Sequence, residues 1–118
     1  EFPIQGSGKE TRAFVYIDDF IDGLMLVLEK GENLGIYHIG TMDEISIKDV
    51  AAEVGKYFGK DVEIASGEEA KGGTPRRCPD ITKLKKLGYK PKVLFSKGLK
   101  ITAKWYDENA GKIQKIQK

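Results

Sequence analysis

The 118 residues, 40% of them hydrophobic, suffice for one modest core and argue against two independent domains. Charged residues make up 32% of the chain, but both signs are interspersed and the formal net charge is only +2, which excludes the strongly basic face that nucleic acid calls for. Cys78 is the only cysteine, so an internal disulfide and a cysteine-based zinc site are excluded and a reducing, cytoplasmic compartment is expected. No apolar run approaches the roughly 20 residues of a membrane span, and no signal peptide opens the chain; a soluble protein without membrane partners is expected.

Residues 2–5 are a short apolar-rich stretch before the flexible turn Gly6-Ser7-Gly8, and residues 12–17 are rich in β-branched and aromatic side chains, which predicts strand, turn, strand. Asp18 or Asp19 is placed to cap a helix in which Phe20, Leu24, Val27 and Leu28 recur at helical spacing, with Lys30 and Gly31 as its basic last turn and stop. Residues 36–39 form a short apolar strand ending at Gly40. After a polar turn, Ser46 and Asp49 open a capping-box-like helix start, with Asp49 where Glu is usual. Ile47, Val50, Ala51, Val54 and Phe58 line one face of that helix, Gly59 ends it, and residues 62–65 alternate as a strand.

Residues 66–74 carry three glycines and three charges without a period, which predicts a loop delivering Arg76 and Arg77. Asp80 can cap a two-turn helix with Ile81, Leu84 and Leu87 on one side, Gly88 just beyond it and Pro91 following. Ser96 is expected to cap the last helix, where Leu99, Ala103 and Tyr106 share a face that Ile101 and Trp105 widen, and Gly111 stops it. Residues 112–118 are then a fraying basic tail. The order of elements predicts a mixed α/β unit over residues 1–111, with short strands and about four helices.

Most chemistry-bearing residues have a plainer reading. Gly6-Ser7-Gly8-Lys9 lacks the spacing of a phosphate loop and opens a strand rather than a helix, so it reads as a turn. His38, the only histidine, reads as a structural residue, Asp18 and Asp19 as helix caps rather than paired catalytic carboxylates, and Cys78 as an unreactive thiol. The arginines stand apart. Arg12, Arg76 and Arg77 are the only three among 20 lysines and arginines, and all sit at loop or strand edges. A guanidinium grips phosphate as a rigid fork where an ammonium is a hydrated point charge, so two arginine sites fit a diphosphate. Surface ion pairs and carbonyl contacts are the competing reading.

Residues 6–19, Gly-Ser-Gly-Lys-Glu-Thr-Arg-Ala-Phe-Val-Tyr-Ile-Asp-Asp, resemble the G-x-G-x-x-x-R-x-F-x-Y-V-x-D segment of extended short-chain dehydrogenases in the NAD-dependent epimerase/dehydratase family, which act on nucleotide sugars. Tyr37-His38-Ile39-Gly40 resembles the family's Y-N-I-G strand, with His38 departing from Asn, and residues 46–50 resemble the helix start that follows. Residues 73–83 resemble its R-R-x-x-D-I-S-K element. Residues 87–91 and the helix from Gly98-Leu99 to Trp105-Tyr106 resemble its usual ending.

The resemblance implies the C-terminal, substrate-binding portion of a Rossmann-type enzyme with an incomplete Rossmann sheet. It places Arg12 and one of Arg76 and Arg77 on the diphosphate of a nucleoside diphosphate sugar. It sets Pro3, Ile4 and Gln5 against the base or ribose, and Ser46 at a helix start near the nucleotide. It also implies what this chain lacks. The family's reaction uses NAD(P), a Gly-rich turn and a Tyr-x-x-x-Lys pair. The five tyrosines here are followed four places on by Phe20, Thr41, Asp61, Val93 and Ala110, and no G-x-x-G-x-x-G occurs. The expectation is therefore roughly the last third of such an enzyme, with no catalytic residue, no cofactor bound by this chain and no activity alone. Residues that would choose an isomerase from a lyase reaction lie outside it. The bare apolar surface left by a missing Rossmann domain predicts a homodimer or strand-swapped assembly. The alternative is a stand-alone, non-enzymatic interaction or assembly module.

Overall fold

The structure is a computed structural model that describes residues 1–69 and 71–116. It is mixed α/β: β1 (Phe2–Pro3), β2 (Thr11–Ala13), α1 (Ile17–Lys30), β3 (Glu44–Ser46), α2 (Ile47–Tyr57), β4 (Ile64–Ala65), β5 (Arg76–Arg77), α3 (Thr82–Lys85) and α4 (Phe95–Ile116). The strands form two small sheets. β1 lies parallel to β4, and β2 is the centre of a three-stranded sheet with β3 antiparallel on one side and β5 parallel on the other. The expected strand-turn-strand opening is present, with the second strand over 11–13 rather than 12–17; β1 and β2 do not pair with each other, because the backbone around Gly6 is taken by the loop after β4. Gly6 donates to the Glu68 carbonyl at 3.0 Å and its own carbonyl accepts from Gly67 at 3.1 Å. β3 falls where a polar turn was expected, since its ladder is supplied by β2 rather than by local pattern.

The core is small. Ile81 and Leu84 are fully buried beside Tyr89, with Leu26, Val27, Tyr37, Ile39 and Leu87 packed around them. Full burial of one such aliphatic side chain is worth about 2 kcal/mol. The Tyr89 hydroxyl donates to the Gly40 carbonyl at 2.8 Å, and burial pushes its phenol up from the ordinary value. The expected two-turn helix is a single turn, Thr82–Lys85, with Ile81 rather than Asp80 at its cap; Asp80 lies one residue earlier, its Oδ1 accepting from the Thr82 N–H at 2.9 Å.

α1 meets this core with a face the hydrophobic pattern misses. Its buried positions are Asp19 and Gly23, flanked by Leu26 and Val27, whereas Phe20, Leu24 and Leu28 of the expected face are exposed, Leu28 at 73%. Periodicity picks out the apolar stripe of Phe20, Leu24 and Leu28, whereas the core meets the edge of that stripe, where Asp19, Gly23, Leu26 and Val27 lie. Gly23 permits a close approach: a Cβ there would stand 2.6 Å from Ile39 Cγ2 and 3.1 Å from Tyr89 Cε2. The capping role expected of Asp18 or Asp19 is also corrected. Tyr16 precedes the helix with no side-chain cap. Asp19, only 2% exposed, instead accepts from the backbone N–H groups of Lys92 at 3.0 Å and Val93 at 2.8 Å.

Residues 36–39 are not a strand, because no described strand lies beside them to form a ladder; Tyr37 and Ile39 pack on the core instead. α4 starts at Phe95, so Ser96 is its second residue rather than its cap, and Leu94 supplies the first carbonyl, accepting from Lys97 at 3.1 Å and Gly98 at 3.0 Å. The helix continues through Gly111, the expected stop. An exposed glycine costs a helix about 1 kcal/mol relative to alanine without ending it, and the Asn109 side chain bonds back to the Trp105 carbonyl at 2.8 Å. Of the expected frayed tail, residues 117–118 lie outside the described residues. Ile101, Trp105 and Tyr106 of α4 are exposed, so apolar faces of both long helices are bare. Among the described residues no helix is long and apolar enough to cross a membrane.

Candidate functional site

The three-stranded sheet sorts the arginines. In a β-ladder, register partners share a face and successive residues point to opposite faces. Thr11 is opposite Arg76 and Arg12 is opposite Arg77, so the tandem arginines of β5 are divided between the two faces. On one face Arg76 is committed: its Nε and Nη2 donate to the two carboxylate oxygens of Glu44, both at 2.8 Å, and Thr11 Oγ1 donates to Glu44 Oε1 at 2.9 Å. The Arg76 hydrogen bond holds the Glu44 carboxyl below the ordinary range, with Thr11 adding to it, and Glu44 in turn raises the Arg76 guanidinium.

On the other face Arg12 and Arg77 stand side by side. Arg12 Nη1 donates to the Thr11 carbonyl at 2.7 Å and Arg77 Nε donates to Thr74 Oγ1 at 2.9 Å. Each of these bonds uses one of a guanidinium's five N–H donors. Arg12 separates two surface depressions. One, of about 490 Å3, is lined by Ile4, Gln5, Gly6, Glu10 and Thr74; the other, of about 680 Å3 and more open, holds Tyr37, His38, Arg77 and Cys78. Of the other expected site residues, Gln5 lines the first depression, whereas Pro3, on β1, lines neither.

The glycine turn beneath the first depression is closed by the chain itself. Gly6 and Gly8 hold φ of +82° and +81°, which side-chain-bearing residues rarely adopt. The backbone N–H groups they orient close around the Glu10 carboxylate, which accepts from Ser7 N at 3.0 Å, Ser7 Oγ at 3.1 Å and Gly8 N at 2.8 Å. The Glu10 carboxyl lies below its ordinary value, first through its own backbone N–H and then through that of Ser7. Carboxyls depressed in the fold stabilise it above the ordinary carboxylate range and lose that contribution as pH falls through their folded values. Acidification from about pH 5 to about pH 3 should therefore lower the melting temperature, and Glu10→Gln should flatten part of that fall in a pH series of thermal melts.

Ser46 caps α2 as expected, its Oγ accepting from Asp49 N at 3.1 Å and donating to Asp49 Oδ2 at 2.6 Å. The next donors of the helix are also taken: Ile47 N bonds the Glu10 carbonyl at 2.9 Å and Lys48 N the Gly8 carbonyl at 3.0 Å. With three N–H groups and the Ser46 hydroxyl proton engaged, this helix start is a brace for the turn, not an anion site. Nor does the Gly6–Gly8 turn offer the strand-to-helix cradle of a nicotinamide dinucleotide. The glycine turn leads into a strand, and Glu10 occupies its donors. Among the described residues no cluster of three or more His, Cys, Asp or Glu could hold a metal ion.

Sequence reasoning missed Glu10 and Thr74, whose roles depend on bonds formed after folding, and it read His38 as structural. His38 is exposed between the inward-packed Tyr37 and Ile39. Cys78 is half-buried, with its Sγ 3.7 Å from the Met42 carbonyl.

The family described as NAD dependent epimerase/dehydratase matches residues 1–40. A trifunctional UDP-glucose 4,6-dehydratase/UDP-4-keto-6-deoxy-D-glucose 3,5-epimerase/UDP-4-keto-L-rhamnose-reductase of Arabidopsis thaliana is 38% identical over 109 residues, 91% of this chain and 16% of that protein. This chain belongs to the NAD dependent epimerase/dehydratase family. The probable GDP-L-fucose synthase 1 of Oryza sativa subsp. japonica is 32% identical, over 92% of the chain and 33% of its own length. The fold agrees. A dTDP-glucose 4,6-dehydratase of Streptomyces venezuelae, solved with NAD bound, superposes with a TM-score of 0.85 at 35% identity, over 92% of this chain and 34% of that one. The UDP-glucose 4-epimerase of Thermotoga maritima, solved with UDP-glucose, gives 0.85 at 32% identity, over 93% and 36%. The family member described here spans about a third or less of the length of these relatives.

Proposed function

We propose that this chain is the nucleotide-sugar-binding part of an NAD(P)-dependent epimerase or dehydratase, and that catalysis needs a Rossmann portion carrying the cofactor and the Tyr-x-x-x-Lys pair. The observation that carries this reading is the Arg12 and Arg77 pair on one sheet face, while the neighbouring Arg76 is consumed by Glu44. In this reading the nucleoside sits in the depression lined by Gln5 and Thr74. The diphosphate spans Arg12 and Arg77 beside His38, and the sugar lies beyond it in the more open depression. Gln5 brings an amide that can both donate and accept, suited to a base edge, while Pro3 and Ser46 lie further back and support the site. The solved relatives with UDP-glucose or NAD bound support a nucleotide-sugar ligand for the family and NAD for its full-length members.

Isothermal titration of the 118-residue chain with UDP-glucose, dTDP-glucose and a GDP-hexose tests it. Saturable binding of one of them, retained by Arg76→Ala, is expected. No saturation by any of the three would sink the reading and favour the stand-alone interaction module. The exposed Ile17, Ile21, Leu24 and Leu28 of α1 support a covering partner, either the Rossmann portion or a second copy of the chain. Sedimentation across a concentration series should give mass above the monomer for the chain alone; a clean monomer counts against self-association.

A further inference from the structure

We infer that His38 is a third, protonation-dependent contact for the diphosphate end of the ligand, an inference that rests on the binding site proposed above. Tyr37 and Ile39 pack inward on the core, and the side chain between them is exposed. It lines the same open depression as Arg12 and Arg77 and is exposed there. The charged and titratable groups facing it are Arg12 from β2, Arg77 from β5 and Cys78 just beyond. Asp80 also lies near enough for the imidazole charge to lower its carboxyl, after the larger effect of its hydrogen bonds to Thr82. Tyr37 itself is turned away, its hydroxyl accepting from Glu32 N at 2.9 Å and its ring lying 4.5 Å from Lys83 Nζ. A bound diphosphate brings negative charge into the depression that His38 lines, which favours the charged imidazole. Ligand binding and proton uptake by His38 are therefore coupled, and the coupling is reciprocal.

The test titrates the 118-residue chain calorimetrically with UDP-glucose, whose two phosphates are diesters and keep one charge state between pH 6 and pH 8. Runs in buffers of different ionisation enthalpy measure proton uptake. Wild-type affinity should be about fivefold tighter at pH 6 than at pH 8, with fractional proton uptake at pH 7. His38→Asn and His38→Gln, which keep a polar side chain at an exposed position, should bind with neither the pH dependence nor the uptake. Cys78→Ser should keep both. Wild-type binding that needs Arg12 and Arg77 but is flat with pH, or a pH dependence that survives in His38→Asn, overturns the role of His38 and leaves the site standing. Failure of UDP-glucose to bind at either pH, together with failure of the other sugar nucleotides, removes the site and His38 with it.

Discussion

Asp19→Ala should destabilise the chain by about 3 kcal/mol, read as a lower urea midpoint with an unchanged slope. The carboxylate accepts two backbone N–H groups, from Lys92 and Val93, and so ties the core-facing side of α1 to the segment entering α4. Hydrogen bonds to a charged acceptor are worth about 1.5–3 kcal/mol each, and truncation leaves both donors without a partner beside a space vacated by a buried side chain. Pro91, immediately before, has no N–H and cannot redistribute the load. In a domain whose whole stability is about 5–15 kcal/mol, such a loss moves the melting temperature by about 10 °C or more. Asp19→Asn, which keeps an acceptor oxygen but not the charge, should lose roughly half as much. Asp18→Ala, exposed on the first turn, should stay within about 0.5 kcal/mol of wild type. Equal effects of the two alanine changes would show that Asp19 acts only as a first-turn acid.

The double change Arg12→Ala with Arg77→Ala should weaken nucleotide-sugar binding more than about a hundredfold while leaving the thermal melt almost unmoved. Each guanidinium supplies charge-assisted donors to a diphosphate, and loss of one such bond typically costs about tenfold or more in affinity. The single changes should each cost about ten- to thirtyfold, and Arg12→Lys should recover little, because an ammonium cannot reproduce the planar fork. Arg76→Ala is the internal control, expected within about twofold in affinity, because its fork is turned to Glu44 on the opposite face. Titration with the sugar nucleotide that binds wild type decides among these. An Arg76→Ala loss equal to that of Arg77→Ala would reverse the assignment of the two faces.

The sequence made legible those features whose causes are local. Ser46 and Asp49 form the cap that their spacing predicts, and Ile81 and Leu84, at the start of α3 and within it, are buried as their pattern predicts. Family membership was legible as well, because ordered motifs add independent evidence. What the sequence hid depends on contacts across the chain. β3 is a strand because β2 supplies its partner, and residues 36–39 are not one because a ladder partner is what they lack. The core face of α1 is made by a buried carboxylate and a glycine, two residues that any hydrophobicity count scores against burial. In the site, Arg12 and the tandem arginines were visible as types. Their division between the face proposed for the ligand and the face of the Glu44 pair required the register, which alternation along a short strand sets but cannot announce.

That register has its own safeguard in the Glu44 fork. Tandem arginines are tolerant of slippage: were β5 to shift by one residue, Arg76 would arrive opposite Arg12 and the ligand face would still display two guanidinium groups. The carboxylate of Glu44 is not tolerant in this way. Its two oxygens meet Nε and Nη2 of Arg76 only when Thr11 stands opposite Arg76, and Thr11 adds a bond in that same alignment. Of the two alignments that would look alike to a ligand, the chain thus marks one as its own, and a two-residue strand at the end of a long loop gains a fixed address.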